Sequence, residues 1–193
     1  MNTPSQALAI AHRCVGHGVY KLGTGNADTP DGDPSDCAGF AICKCYGVPR
    51  HEPGFNRGNP CGIDLWDVED DLNSNSVLAD AYGARVLFRA LADGEAPQAG
   101  DLVAYPTVML RDTRGLWLRN ADGSIKKWIG HVAIITDASK WDGTYASLRI
   151  VQCRGPNGAR PGIIESSAAH FDDWAREWPK FEHTVHVVRP VTA

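Results

Sequence analysis

The sequence has no uninterrupted apolar run approaching the roughly 20 residues that cross a bilayer. It has no excess of basic charge: 19 Lys and Arg against 23 Asp and Glu give a net charge of −4. No broad positive field is available to hold nucleic acid or an anionic membrane, so neither is expected as a partner. No Cys-x-x-Cys pair occurs, and Cys43 and Cys45, one residue apart on a helix, do not face one metal ion. Neither a metal nor any other cofactor is expected. Internal repeats, low-complexity tracts and interdomain linkers are also lacking. The first residues, Met1-Asn2-Thr3-Pro4, lack the basic start and long apolar stretch of a secretory signal. The expectation is synthesis in the cytoplasm, with some other carrier needed if the protein acts outside the cell.

What is present reads as one globular domain over residues 1–193, with 43% hydrophobic and 22% charged residues. The six cysteines are Cys14, Cys37, Cys43, Cys45, Cys61 and Cys153. With no secretory signal and a chain long enough to build a core, reduced thiols are expected.

Residues 3–16 read as a helix, with Thr3 and Gln6 forming a capping box and Pro4 at the first helical position. A turn-rich stretch from Gly23 to Ser35 follows. A second helix starts near Cys37, capped by Ser35 or Asp36 and stopped at Gly47. Residues 51–73 read as irregular, and Asn75 to Tyr82 as a short helix. Strands are expected at Arg85–Arg89, Leu102–Tyr105, Val132–Thr136, Leu148–Cys153 and Thr184–Arg189. Asp122-Gly123 predicts a hairpin turn between Leu116–Arg119 and Ser124–Ile129. Ser167 is expected to cap a helix carrying Phe171, Trp174 and Trp178. Helices first and a mostly antiparallel sheet after them give an α+β order.

Cys37 differs from the other cysteines because it follows a polar loop and opens a helix. Free amides and the dipole at a helix start favour a thiolate, so its pKa is expected to fall, and the same amides can hold an oxyanion. A buried structural cysteine would account for the local pattern equally well. A thiol nucleophile needs a proton acceptor that later serves the leaving amine. Of seven histidines, His131 stands between Gly130 and Val132-Ala133-Ile134-Ile135, at the mouth of a buried strand. Gln152 on the next strand alternates with Val151 and Cys153 and can fix the imidazole tautomer through its carbonyl. Arg154 and Arg160 flank a Gly-Pro-Asn-Gly loop close to Gln152. Solvent exposure accounts for them, and contact with a substrate carboxylate is the alternative.

Asp36-Cys37-Ala38-Gly39-Phe40 resembles the Asp-Cys-Ser-Gly-aliphatic motif of the NlpC-type cell-wall peptidases. Gly100-Asp101-Leu102-Val103-Ala104-Tyr105 and Gly130-His131-Val132-Ala133-Ile134 resemble two strands of that family, and Tyr20-Lys21-Leu22-Gly23 resembles its Tyr-x-Trp-Gly segment. The resemblance spans about Ala7 to Gly155. It implies a papain-like fold, with a nucleophile helix among N-terminal helices packed on the sheet, and no metal. It also implies hydrolysis of amide bonds in peptidoglycan stem peptides by Cys37, His131 and Gln152. Tyr20 would sit beside the nucleophile, Asp36 would help bind a substrate amine, and position 38 would contribute to substrate binding. Ala38 departs from the family's usual Ser, and residues 106–129 are longer than the family's usual connection and read as an inserted hairpin. The His131 strand is also similar to that of CHAP-type amidases. A wall hydrolase without a leader fits a phage lysis or tail enzyme, or an effector of a secretion machine. The same scaffold also serves deamidases and acyltransferases on other substrates, or an inactive binding module.

Overall fold

The structure is a computed structural model that describes residues 1–50, 74–83, 85–110, 112–155, 161–177 and 185–191. The stretch 51–73, with Cys61 and Trp66, lies outside the described residues, as do Arg160 and Trp178.

Helix α1 spans Pro4–Cys14 and starts as its chemistry requires. Thr3 Oγ1 accepts from the Gln6 amide at 3.3 Å, and Gln6 Oε1 accepts from the Thr3 amide at 2.9 Å. Ala7, Ala11 and Cys14 turn its small face inward onto the second helix. That helix runs from residue 37 to 46, and its Gly39–Cys45 part is a π-helix. All seven residues of this part are buried, as expected where a helix is covered on every side. Lys44 is tolerated there because its ammonium meets Asp31 at 2.9 Å and donates to the Thr29 carbonyl. The wider π turn has no signature in a sequence read at a period of 3.6 residues. Gly47, at φ 68°, ends the helix.

The remaining helices are α2 at Ser74–Tyr82 and α3 at Ala169–Glu177, with a 3-10 turn at Tyr145–Ser147. Strands β1 Phe88–Ala90, β8 His186–Pro190, β2 Leu102–Tyr105, β5 His131–Asp137, β6 Arg149–Cys153 and β7 Ile163–Ser167 form one antiparallel sheet in that spatial order. Strands β3 Val108–Met109 and β4 Lys127–Trp128 pair separately, within the expected insertion at 106–129. The architecture is α+β. No helix of the described residues is long and apolar enough to cross a membrane.

Strand β5 lies between β2 and β6 and is buried on both faces, which explains its continuous apolar run. Val132 and Ile134 pack with α1 and the Cys37 helix. Ala133 and Ile135 pack on the other side with Phe171 of α3.

Three expectations are corrected. The strand expected at Arg85–Arg89 begins only at Phe88, because the buried Asp80 carboxylate takes the amides of Val86, Leu87 and Phe88 at 3.0, 2.9 and 2.7 Å. Arg85, at φ 56°, turns the chain before it. Strand β7 was not expected, because its polar Glu165-Ser166-Ser167 half reads as the lead-in to a helix; it is the sheet's edge, and α3 begins after it at Ala169. In the insertion, the turn at Asp122-Gly123 forms, with Gly123 at φ 84° and its amide on the Asn120 carbonyl at 3.0 Å. Its legs meet only at an Arg119–Ile125 bridge rather than as two full strands.

Candidate active site

His131 is placed by a glycine that cannot be replaced easily. A Cβ on Gly130 would come within 2.2 Å of Ser74 Oγ and 2.5 Å of the Thr107 amide nitrogen. The Gly130 amide donates to Thr107 Oγ1 at 2.8 Å, fixing the mouth of β5. The imidazole is 8% exposed and packs against Tyr105, Phe171 and His170, at ring-centre distances of 6.0, 5.9 and 5.6 Å.

Its Nε2 lies 2.8 Å from Gln152 Oε1. Gln152 Nε2 in turn donates to Ser166 Oγ at 2.8 Å, and Ser166 Oγ donates to the Ser167 carbonyl at 3.0 Å. This chain settles the tautomer. Ser166 spends its proton on a carbonyl, so it accepts from the amide nitrogen of Gln152; the amide oxygen then faces His131. Nε2 therefore carries the ring proton, and Nδ1 keeps the lone pair that a general base needs. Sequence reasoning found Gln152 by strand alternation but missed Ser166, because β7 itself was missed.

Cys37 approaches the same strand end from the other layer. It belongs to the core cluster with Val132, Ile134, Val151 and Cys153, and the backbone amides of Val132 and Ala38 favour its charged form. Among the described residues no hydrogen bond joins the thiol to the imidazole. The expected fall in the Cys37 pKa is not what this environment produces. Burial, together with the neighbouring Asp36 charge, pushes the thiol up to about 12, and the two amides and Arg50 offset this only in part. The helix-start argument gave the right sign for the amides and underestimated the loss of water.

Asp36 is 3% exposed and bonded within the protein. Its Oδ2 accepts from the Gly23 amide and its Oδ1 from the Gly39 amide, each at 2.7 Å. The Arg50 guanidinium grips both oxygens, at 3.2 and 2.7 Å. Asp36 is thus the helix cap and the anchor of the Gly23–Ser35 loop. Gly39 must be glycine here, since a Cβ would stand 2.1 Å from the Thr24 carbonyl oxygen. Ala38 is 2% exposed and belongs to the core cluster.

An open cleft of about 180 Å³ lies beside His131, lined by Tyr20, Tyr105, Ile129, Gly130, His131, Arg154 and Gly155 but not by Cys37. Of the expected site residues, Tyr20 and His131 line it, and Gln152 is buried behind His131. Burial raises the Tyr20 and Tyr105 phenols, and ionising Cys37 would raise them further, so both stay protonated donors at neutral pH. Tyr105 and His170 were not anticipated. The register pairing Tyr105 with His131 carries the signal for Tyr105; His170 lies on α3, with nothing in its neighbourhood to single it out.

Burial pushes the His131 imidazole down to about 4, which the Gln152 bond only partly resists. This sets a pH dependence of stability. The folded value lies below the unfolded value of about 6.5, so the unfolded chain binds the extra proton between the two. Stability is expected to fall by about 3 kcal/mol as pH drops from about 6.5 to about 4, from this group alone. Urea unfolding at both pH values should show a smaller acid loss for His131→Asn than for the parent. Equal losses would mean that the imidazole is hydrated.

A scan against protein-family models and a search of curated proteins find no match to this chain.

Proposed function

We propose that the protein is a papain-like cysteine amide hydrolase that cleaves peptidoglycan stem peptides. The observation that carries this reading is the tautomer-fixed His131–Gln152 pair at an open cleft, with Cys37 in one buried cluster with Val132, the residue after His131. The substrate class itself comes from the resemblance of the Asp36–Phe40 and Gly130–Ile134 motifs. In the reaction Cys37 Sγ attacks the amide carbonyl as His131 Nδ1 takes its proton. The imidazolium then gives that proton to the leaving amine, and water attacks the thioester with the same base assisting. The thiol and the imidazole share no hydrogen bond before the substrate complex forms. Catalytic hydrogen bonds often tighten only in such a complex. A wall substrate places the action outside the cytoplasm, reached by phage-type release or within a phage or secretion particle. Digestion of purified sacculi, with mass spectrometry of the soluble fraction, should reveal new peptide ends. Intact sacculi, together with turnover of another amide, would redirect the reading to a deamidase or acyltransferase.

One observation favours a second reading, a catalytically inactive binding module. The thiol is buried, raised to about 12 and not bonded to the imidazole. Such a module would leave a thiol-directed probe unreacted at neutral pH even with wall fragments present.

A further inference from the structure

Arg154 lies two positions beyond Gln152, past the end of β6, and so emerges on the same side of the sheet. Continuing the register that opposes Ile134 with Val151 brings it across from His131. Its amide donates to the Gly162 carbonyl at 2.7 Å, which pins the main chain, while the exposed side chain lines the cleft. Among the described residues no carboxylate pairs with this guanidinium. The acidic side chain nearest the nucleophile in sequence, Asp36, is committed to Arg50. Three groups feel the Arg154 charge. Burial lowers His131 and His170, and Arg154 lowers both further; burial raises Tyr105, and Arg154 opposes that rise. A cation that lines an open cleft together with the His131 imidazole and the Tyr20 and Tyr105 phenols is an arrangement that an anion completes.

We propose that Arg154 is an anion subsite that binds a free carboxylate of the amide substrate next to the bond that is cut. The inference rests on the cysteine-hydrolase reading and adds to it the charge of the substrate. A guanidinium matches a carboxylate through two parallel N–H donors, which orients as well as attracts. Neutralising the cation also relieves His131 of a repulsive neighbour at the step where its ring becomes charged. Substrates lacking the carboxylate forgo that help, so the subsite selects for rate as well as for binding.

The test compares Cys37 alkylation by anionic iodoacetate and neutral iodoacetamide at pH 8.5 and low salt. The modified Cys37 peptide is counted by mass spectrometry. The iodoacetate-to-iodoacetamide rate ratio is expected to fall about two- to fivefold in Arg154→Gln, the range of a partly exposed ion pair. It should recover partly in Arg154→Lys, and shrink in the parent protein as salt rises. A circular-dichroism spectrum matching the parent's establishes that each variant is folded. An unchanged ratio in Arg154→Gln, with Cys37 alkylated, overturns the subsite and leaves the hydrolase reading standing. If neither reagent modifies Cys37 until the protein is unfolded, the nucleophile reading falls and the subsite with it.

Discussion

Alanine at Cys37 is expected to abolish the release of peptide fragments from sacculi. Alanine at His131 should lower it by about 10²–10⁴-fold, the contribution of positioned acid–base help. The two losses should not add, since the thiol and the imidazole act on one proton. Both variants should keep the parent's circular-dichroism spectrum. Cleavage at an undiminished rate by Cys37→Ala would falsify the cysteine mechanism.

The pH profile sharpens that expectation. With the imidazole held down to about 4 and the thiol pushed up to about 12, both are neutral across the interval between those values. On the proposed function the resting pair is a neutral thiol and a neutral imidazole, not a thiolate and an imidazolium. Protonating His131 removes the base, so kcat/KM should fall on the acid side with a midpoint near 4, well below the ordinary histidine value of about 6.5. A midpoint at 6 to 7, measured between pH 3 and 8, would mean that water reaches the ring in solution.

The local signals in the sequence were those that act within a few residues. Thr3, Pro4 and Gln6 wrote the start of α1, and Gly47 wrote the end of the Cys37 helix, because caps and stops depend on neighbouring backbone groups. The apolar run after His131 marked a central strand, and alternation along β6 put Gln152 on the side where the imidazole lies. What could not be read depends on partners far along the chain. Strand β8 enters the sheet between β1 and β2, a placement set by the packing of Val188 and Phe88 in one cluster rather than by order. Ser166 matters only because β7 pairs with β6. The Cys37 pKa turned on burial by residues from α1 and the sheet, and burial outweighed the helix-start effect that the sequence displays. Asp36 was legible as a helix cap, but Arg50, fourteen residues on, decides what its carboxylate does.

Arg50→Met is expected to destabilise the fold by about 3–5 kcal/mol, because it strands a buried carboxylate. Asp36 is 3% exposed, and once the guanidinium is gone its two oxygens keep only the Gly23 and Gly39 amides. Asp36→Asn should also be costly, because it removes the carboxylate that pairs at 2.7 Å with the guanidinium of the 9% exposed Arg50. The double variant Asp36→Asn/Arg50→Met should cost less than the sum of the two, since it strands neither charge. Urea midpoints for the four proteins measure this directly. The outcome also decides between two roles for Asp36. A small loss in Arg50→Met, below about 1 kcal/mol, would mean that the carboxylate is solvated or can turn outward. It could then meet a substrate amine, as the family resemblance implies. A large, non-additive loss makes the pair a clamp, with one end on the loop and the other on the helix that carries Cys37. Loosening the clamp should then reduce hydrolysis through the placement of the thiol, without either residue touching the substrate.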